Sequence, residues 1–361
     1  MPAWAVVVVT AACARGEVIP PTPEPSAAEP TVRIGLLVDT PSVDVSATSA
    51  YEILNSAGAV QASGNAGEVW TFTVDGERIR ARQASGRELD LLEPPIRIVP
   101  RDPGLVNIGG RNYRGSAFLR IASTGKLSAI NQVEIEEYLR GVVPYEIGRL
   151  APELIEAVKA QAVAARTYAI GNLNRWGDRG FDFVATVQDQ VYGGVSGEDS
   201  VASRAVRETA GHIVTYQGKP ILAYYSSTCG GRTARLEDSW SWRPGLPYLQ
   251  SVSDTIPGTD RAYCDTSSRY RWNVSWTREA LRAVLERTLT DRMNSPIRVG
   301  RISNIELTGR NESGRARALR IDTEQGTHSI PSDSIRWVLR PDSARSLNSS
   351  LLLDLHADVD N

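Results

Sequence analysis

Short β-branched or alternating runs recur along the first third of the chain, at residues 32–38 (VRIGLLV), 42–46 (SVDVS), 69–74 (VWTFTV), 96–99 (IRIV) and 118–121 (FLRI), with Gly, Pro and Asp punctuating them. A period of two puts apolar side chains on one face of an extended chain, so residues 32–132 read as a β-rich region. The pattern changes at 133–140 (VEIEEYLR), where helix formers gather. The strongest helical signal runs from Pro152 to about Leu173. Pro152 suits a first turn, Glu153 and Glu156 complement the N-terminal dipole, and Gly171 lies near the end. Ile155, Val158, Ala162, Ala165 and Ala169 are spaced three and four apart and form a narrow apolar stripe. Gln161, Ala165 and Tyr168 share a neighbouring face, where an amide and an aromatic ring could line a cleft.

Further along, residues 202–209 (ASRAVRET) read as a helix. Residues 211–225 read as a hairpin turning at Gln217-Gly218-Lys219, and 226–272 as a loop-rich stretch. Residues 277–289 suggest another helix, with strands at 302–307 and 318–321. The fold class that follows is α+β: a β-rich N-terminal region, then a mixed α/β core with a long helix lining a cleft. The chain divides into residues 1–12, 13–31, 32–132, 133–260, 261–340 and a tail at 341–361.

The 361 residues are 41% hydrophobic, enough to bury a substantial core. Forty Lys and Arg against 42 Asp and Glu leave a net charge of −2, with no basic block to neutralise a phosphate backbone, which argues against a nucleic-acid partner. Three histidines and three cysteines are too few for a familiar multi-ligand zinc framework, so neither a metal nor another cofactor is expected. Residues 1–12 (MPAWAVVVVTAA) form an apolar run with small residues at its end, the pattern of an export signal. The run is too short to span a bilayer. Thr10-Ala11-Ala12-Cys13 is similar to a lipobox, so Cys13 is a candidate lipidation site and the one expected attachment to a membrane. Five prolines within 16–31 mark a tether. Export places Cys229 and Cys264 in an oxidising compartment, where an even pair favours a disulfide over a reduced pair or metal ligands.

Four blocks carry a family resemblance: 136–146 (EEYLRGVVPYE), 156–168 (EAVKAQAVAARTY), 189–194 (DQVYGG) and 225–231 (YSSTCGG). In this order they resemble the SpoIID/LytB family of bacterial cell-wall proteins. The resemblance is firm from about 130 to 255, which makes 133–260 a SpoIID-like catalytic core and 261–340 a C-terminal α/β part of the same unit. It implies a lytic transglycosylase acting on peptide-free glycan strands of peptidoglycan, or a non-catalytic glycan-binding enhancer of a cell-wall amidase. Either would work in the cell envelope, in the periplasm or on the outer surface.

A lytic transglycosylase needs only one carboxylic acid, because the C6 hydroxyl of N-acetylmuramic acid is its own nucleophile. The acid protonates the departing oxygen and then accepts a proton from that hydroxyl. Glu146 matches the family's catalytic glutamate. The apolar 142–144 segment before it could dry the carboxyl and raise its pKa. Glu136 and Glu137 are assigned to a solvated face, and Glu153 and Glu156 to the helix start. By the same resemblance Gln161, Arg166 and Tyr168, the loop residues Gln190, Tyr192 and Gly193, and the hydroxyls of Ser226, Ser227 and Thr228 are candidate glycan contacts. Arg166 is equally a candidate structural ion-pair partner. Trp240, Trp242 and Trp272 could stack on sugar rings, with core packing as the competing role.

Overall fold

The computed structural model describes residues 30–342 and 345–356. The expected export signal, Cys13 and nearly all of the expected tether lie outside the described residues. The described chain is mixed α and β, and it forms two units that interleave in sequence. One comprises the chain up to Lys159 together with 173–210, and the other comprises 160–172 together with 211 onward.

In the first unit a seven-stranded sheet runs Phe183–Val184, Thr31–Thr40, Leu127–Glu134, Ser116–Ile121, Ile96–Pro100, Tyr51–Leu54, Val60–Gly64. All its pairings are antiparallel except that of Phe183–Val184 with Thr31–Thr40. A five-stranded antiparallel sheet runs Arg78–Arg82, Trp70–Asp75, Ser42–Ala47, Val106–Ile108, Arg111–Tyr113. Alternation selects the buried faces: Val43, Val45 and Ala47 point inward from one strand, Trp70 and Phe72 from the next, and Ile96 and Ile98 from another. Leu127–Glu134 departs from alternation and is buried along nearly all its length, as expected of a strand covered on both faces. Gly35 leaves the space occupied by the ring of Phe181.

The expected boundary at 132/133 falls inside that strand. Val133 pairs with Val32, so the chain cannot part there without opening the sheet. The helical signal read from residue 133 is displaced for the same reason. Val133 and Glu134 finish the strand, and the helix occupies Ile135–Arg140. It is too short to persist by propensity alone and is held by burial of Ile135, Tyr138 and Leu139. A second short helix, Val143–Ile147, follows with Pro144 in its first turn and ends at Gly148, whose φ of +83° suits glycine. Ser200–Glu208 is capped by Asp199, whose carboxylate accepts from the amides of Val201 and Ala202 at 3.0 and 2.9 Å.

The Ile155–Gly171 helix realises the long helical signal, preceded by a 3₁₀ turn at Pro152–Leu154. Val158, Ala162, Ala165 and Ala169 of the stripe are buried. In the second unit, Thr167 accepts from the Val214 amide at 2.9 Å, and Arg166 donates to the His212 carbonyl at 3.1 Å. The expected 211–225 hairpin is reduced to Thr215–Tyr216 paired with Lys219–Pro220. Beyond it, Arg278–Met293 is capped by Thr277. This helix packs with Ser332–Val338 and the three-stranded sheet Ile302–Arg310, Ala316–Thr323, Gly326–Pro331 around Leu285, Leu289, Leu319, Ile321, Ile330 and Ile335.

Candidate active site

Glu146 sits near the end of the Val143–Ile147 helix and is half-buried. Burial raises its pKa above the ordinary carboxylate value, the effect expected from the apolar approach, while a hydrogen bond from the Val191 amide to Oε1 at 3.1 Å pulls the other way. Desolvation is the larger of the two. The side chain before it, Tyr145, is half exposed and carries an aromatic ring beside the acid.

The Val191 amide is placed by the loop that contains it. The side chain of Asp189 is fully buried; it accepts from the Trp176 indole at 2.9 Å and the Val184 amide at 2.8 Å, and pairs with Arg175 at 2.9 Å. A buried carboxylate tolerates its surroundings only when satisfied in this way. The loop then binds back along the helices. Gly193 N–H donates to the Gly141 carbonyl at 3.1 Å, and a Cβ at Gly141 would come within 2.7 Å of the Tyr192 ring. Gly193 and Gly197 both leave room for the Tyr145 ring.

Two candidate glycan contacts in this loop have other employment. Tyr192 is 3% exposed, and its hydroxyl donates to Asn131 Oδ1 at 3.0 Å. Its ring lies between those of Tyr113 and Tyr138, with centroids 5.6 and 4.9 Å away. Gln190 is fully buried and accepts from the Tyr138 hydroxyl at 3.2 Å. Gly193 has an ordinary φ of −96°, so its value lies in the space it gives Tyr145. These three residues shape the loop and offer no open surface to a sugar. Glu137, expected on a solvated face, pairs with Arg114 at 2.8 Å and Arg140 at 3.0 Å, and Glu198 joins both arginines. The two arginines, from two segments, draw it partly out of solvent.

The remaining candidates belong to the second unit. Arg166 is fully buried, with one guanidinium nitrogen committed to the His212 carbonyl, which favours the structural role over glycan contact. Tyr168 is largely buried, its ring 6.5 Å from those of Tyr224 and Tyr225. Gln161 is half-buried, and its buried Nε2 has no hydrogen-bond partner. Ser226 and Ser227 are exposed, whereas Thr228 shares a 2.8 Å hydrogen bond with Ser267. Trp242 is 70% exposed and carries the Arg243 guanidinium 4.9 Å over its ring. Trp240 is 37% exposed, with its ring centroid 5.0 Å from Tyr224. Trp272 packs on the second unit's core. The sulfurs of Cys229 and Cys264 stand 3.5 Å apart as thiols, so the expected disulfide is not formed in this structure.

Residues 123–216, which contain Glu146 and its loop, match the SpoIID family, described as Stage II sporulation protein. Relatives include the amidase enhancer of Bacillus subtilis, 33% identical over 218 residues, covering 58% of this chain and 29% of that protein. Stage II sporulation protein D of Bacillus amyloliquefaciens is 35% identical over 140 residues, 34% of this chain and 39% of that protein. The chain carries a SpoIID-family domain over residues 123–216. An uncharacterized protein of Brachyspira hyodysenteriae is 31% identical over 245 residues, 68% of this chain and 60% of that protein. The chain thus spans less than two thirds of the length of each of these relatives. Residues 234–356 match a second family, a domain of unknown function designated DUF8618.

Proposed function

We propose that this protein is an exported cell-envelope enzyme that cleaves peptidoglycan glycan strands as a lytic transglycosylase, with Glu146 as the general acid and base. The observation that carries this reading is the Glu146 carboxyl. It is partly dried, held by the Val191 amide through Oε1, and raised in pKa, within the segment that matches SpoIID. A carboxyl in that state keeps its proton closer to neutrality and can pass it to a leaving oxygen.

The chemistry is economical in groups. Glu146 donates its proton to the glycosidic oxygen as the bond to the anomeric carbon breaks. The C6 hydroxyl of the same muramic ring forms the new bond to that carbon and returns its proton to Glu146. The product carries a 1,6-anhydro end, and no water is consumed. A hydrolase would require a second carboxylate placed to activate water. The Asp189 side chain is fully buried and bonded to Trp176, Val184 and Arg175, and Glu137 is tied to two arginines. Neither is free for that role. Tyr145 is the exposed ring nearest in sequence to the acid, and we assign it to stacking on the sugar.

A second reading, a glycan-binding enhancer of a cell-wall amidase, is favoured by the Bacillus subtilis amidase enhancer, which aligns over a larger share of this chain than the sporulation protein does. Digestion of peptide-free glycan strands in heavy-oxygen water, followed by mass spectrometry, separates the possibilities. Unlabelled 1,6-anhydro ends, absent with Glu146→Gln, are expected. Label at new reducing ends would replace the transglycosylase with a hydrolase. Intact strands would leave the enhancer.

A further inference from the structure

In the second unit a half-buried arginine stands at the turn that follows the short helix Leu236–Ser239. The Trp240 amide donates to the Leu236 carbonyl and the Arg243 amide to the Trp240 carbonyl, each at 2.9 Å. Ser241 anchors the turn by donating to Asp333 at 3.1 Å. Both ends of the turn meet Tyr224, which arrives from a separate segment. The Trp240 ring centroid lies 5.0 Å from that of Tyr224, and Arg243 donates to the Tyr224 hydroxyl at 2.6 Å. The same guanidinium lies 5.9 Å over the Tyr224 ring and 4.9 Å over that of Trp242, a residue 70% exposed. Two indoles, a phenol and one cation are thus joined in a continuous set of contacts.

We propose that Trp242 and Arg243 form a glycan subsite for a muramic sugar whose lactyl carboxylate is free, an inference that rests on the peptidoglycan reading. The pyranose stacks on the exposed indole, and the carboxylate pairs with the guanidinium. Neither residue lies in the segment that matches SpoIID, and both lie in the domain of unknown function at 234–356. The subsite gives that domain a part in choosing the strand.

Charge and shape select this ligand. The hydrogen bond of Arg243 goes to a neutral hydroxyl, and no carboxylate among the described residues pairs with it. The acids of the same turn face other partners: Glu237 pairs with Arg235 at 2.9 Å, and Asp333 accepts from Ser241. The cation therefore keeps its full charge for an anion from outside. Stacking on two rings holds its planar fork in one orientation, so less freedom is lost when a carboxylate binds across it. The Trp242 ring supplies a flat apolar face beside that charge. An N-acetylglucosamine residue offers a pyranose face with no anion. A muramic residue that carries a stem peptide has its lactyl carboxyl consumed in an amide. The peptide-free muramic residue presents the face and the carboxylate together.

The test measures binding by calorimetry on the full chain carrying Glu146→Gln, so that strands are not consumed. The ligands are peptide-free glycan strands, strands that keep their stem peptides, and a chitin oligomer, which has the same backbone without the carboxylate. Arg243→Gln should weaken binding of peptide-free strands about tenfold and leave the chitin oligomer within about twofold, whereas Trp242→Ala should weaken both. Peptide-bearing strands should bind the parent more weakly than peptide-free ones. Should Arg243→Gln fail to fold, esterifying the lactyl carboxylates of the strands removes the same pairing from the ligand side, and it should cost the same tenfold. Unchanged affinity for peptide-free strands in both variants would overturn the subsite, as would a loss with Arg243→Gln that is equally large for the chitin oligomer. Cleavage by the chain with Glu146 intact is scored separately. Strands cut normally but bound equally by the variants would sink the subsite alone. Strands left uncut but bound through Trp242 and Arg243 would sink the transglycosylase alone, and no binding of any glycan would sink the subsite together with the peptidoglycan reading.

Discussion

A carboxyl that must surrender a proton near neutrality has to be kept partly dry without being sealed, and Glu146 meets both conditions. Because its pKa is raised, the protonated, proton-donating form persists to higher pH than for a solvated glutamate. Cleavage should therefore decline as pH rises through that raised pKa, and a kcat/KM profile on peptide-free strands with no such fall above the ordinary glutamate pKa would remove Glu146 as the acid. The same shift sets a stability sign. The folded state binds the proton more tightly than the unfolded chain, so this group's contribution to stability is present below the unfolded pKa and is lost as pH rises through the folded one. Glu146→Gln should therefore be at least as stable as the parent at neutral pH, measured by denaturant unfolding. The burial of Glu146 was legible because apolar residues precede it. Tyr192 and Gln190 were misassigned because a sequence string does not say whether a polar tip will meet sugar or Asn131 and Tyr138. Tyr192→Phe should cost about 1–3 kcal/mol by denaturant titration, since it strands the Asn131 Oδ1 acceptor inside the protein.

Among the elements, the 189–197 loop and the Val143–Ile147 helix depend on each other through missing side chains. The ring of Tyr145 occupies the volume where Cβ atoms at Gly193 and Gly197 would stand. A methyl at 193 must push the ring or the loop, and the loop carries the Val191 amide that holds Glu146. Gly193→Ala should cost roughly 1–3 kcal/mol, as overpacking does, and should lower kcat. In a Tyr145→Ala background most of the stability cost should vanish. A cost unchanged in that background would refute the steric account. The strands foreseen from alternation are present because their polar and apolar residues sort onto two faces. Arg78–Arg82 and Arg111–Tyr113 were missed because their outward residues dominate the composition. Leu127–Glu134 was missed because, covered on both faces, it shows no period of two.

For the molecule as a whole, neither unit is a continuous stretch of chain: 160–172 goes with the second, and the chain then returns to the first for 173–210. The second unit has its own apolar core, so Leu319→Ala there should lower stability by about 2–5 kcal/mol. Composition could not reveal the interleaving, because the Ile155–Gly171 helix reads as one uninterrupted pattern while its two ends belong to different cores. A fragment ending at residue 210 would retain Arg166 and Thr167 but lose the His212 carbonyl and Val214 amide that they bond. It should unfold at lower denaturant than the full chain, and a fragment as stable as the whole would argue against the interleaving.

The bond from Arg166 to His212 also sets an order in time. The guanidinium is made 46 residues before the carbonyl that receives it. At roughly 5–20 residues per second, a ribosome needs a few seconds to supply the acceptor. Through that interval the newborn helix carries an arginine without its eventual carbonyl. A chain threaded through an export channel from its N-terminus meets the same sequence of events on the far side, where Arg166 arrives well ahead of His212. Final burial of Arg166 against that carbonyl is thus deferred until residue 212 has emerged.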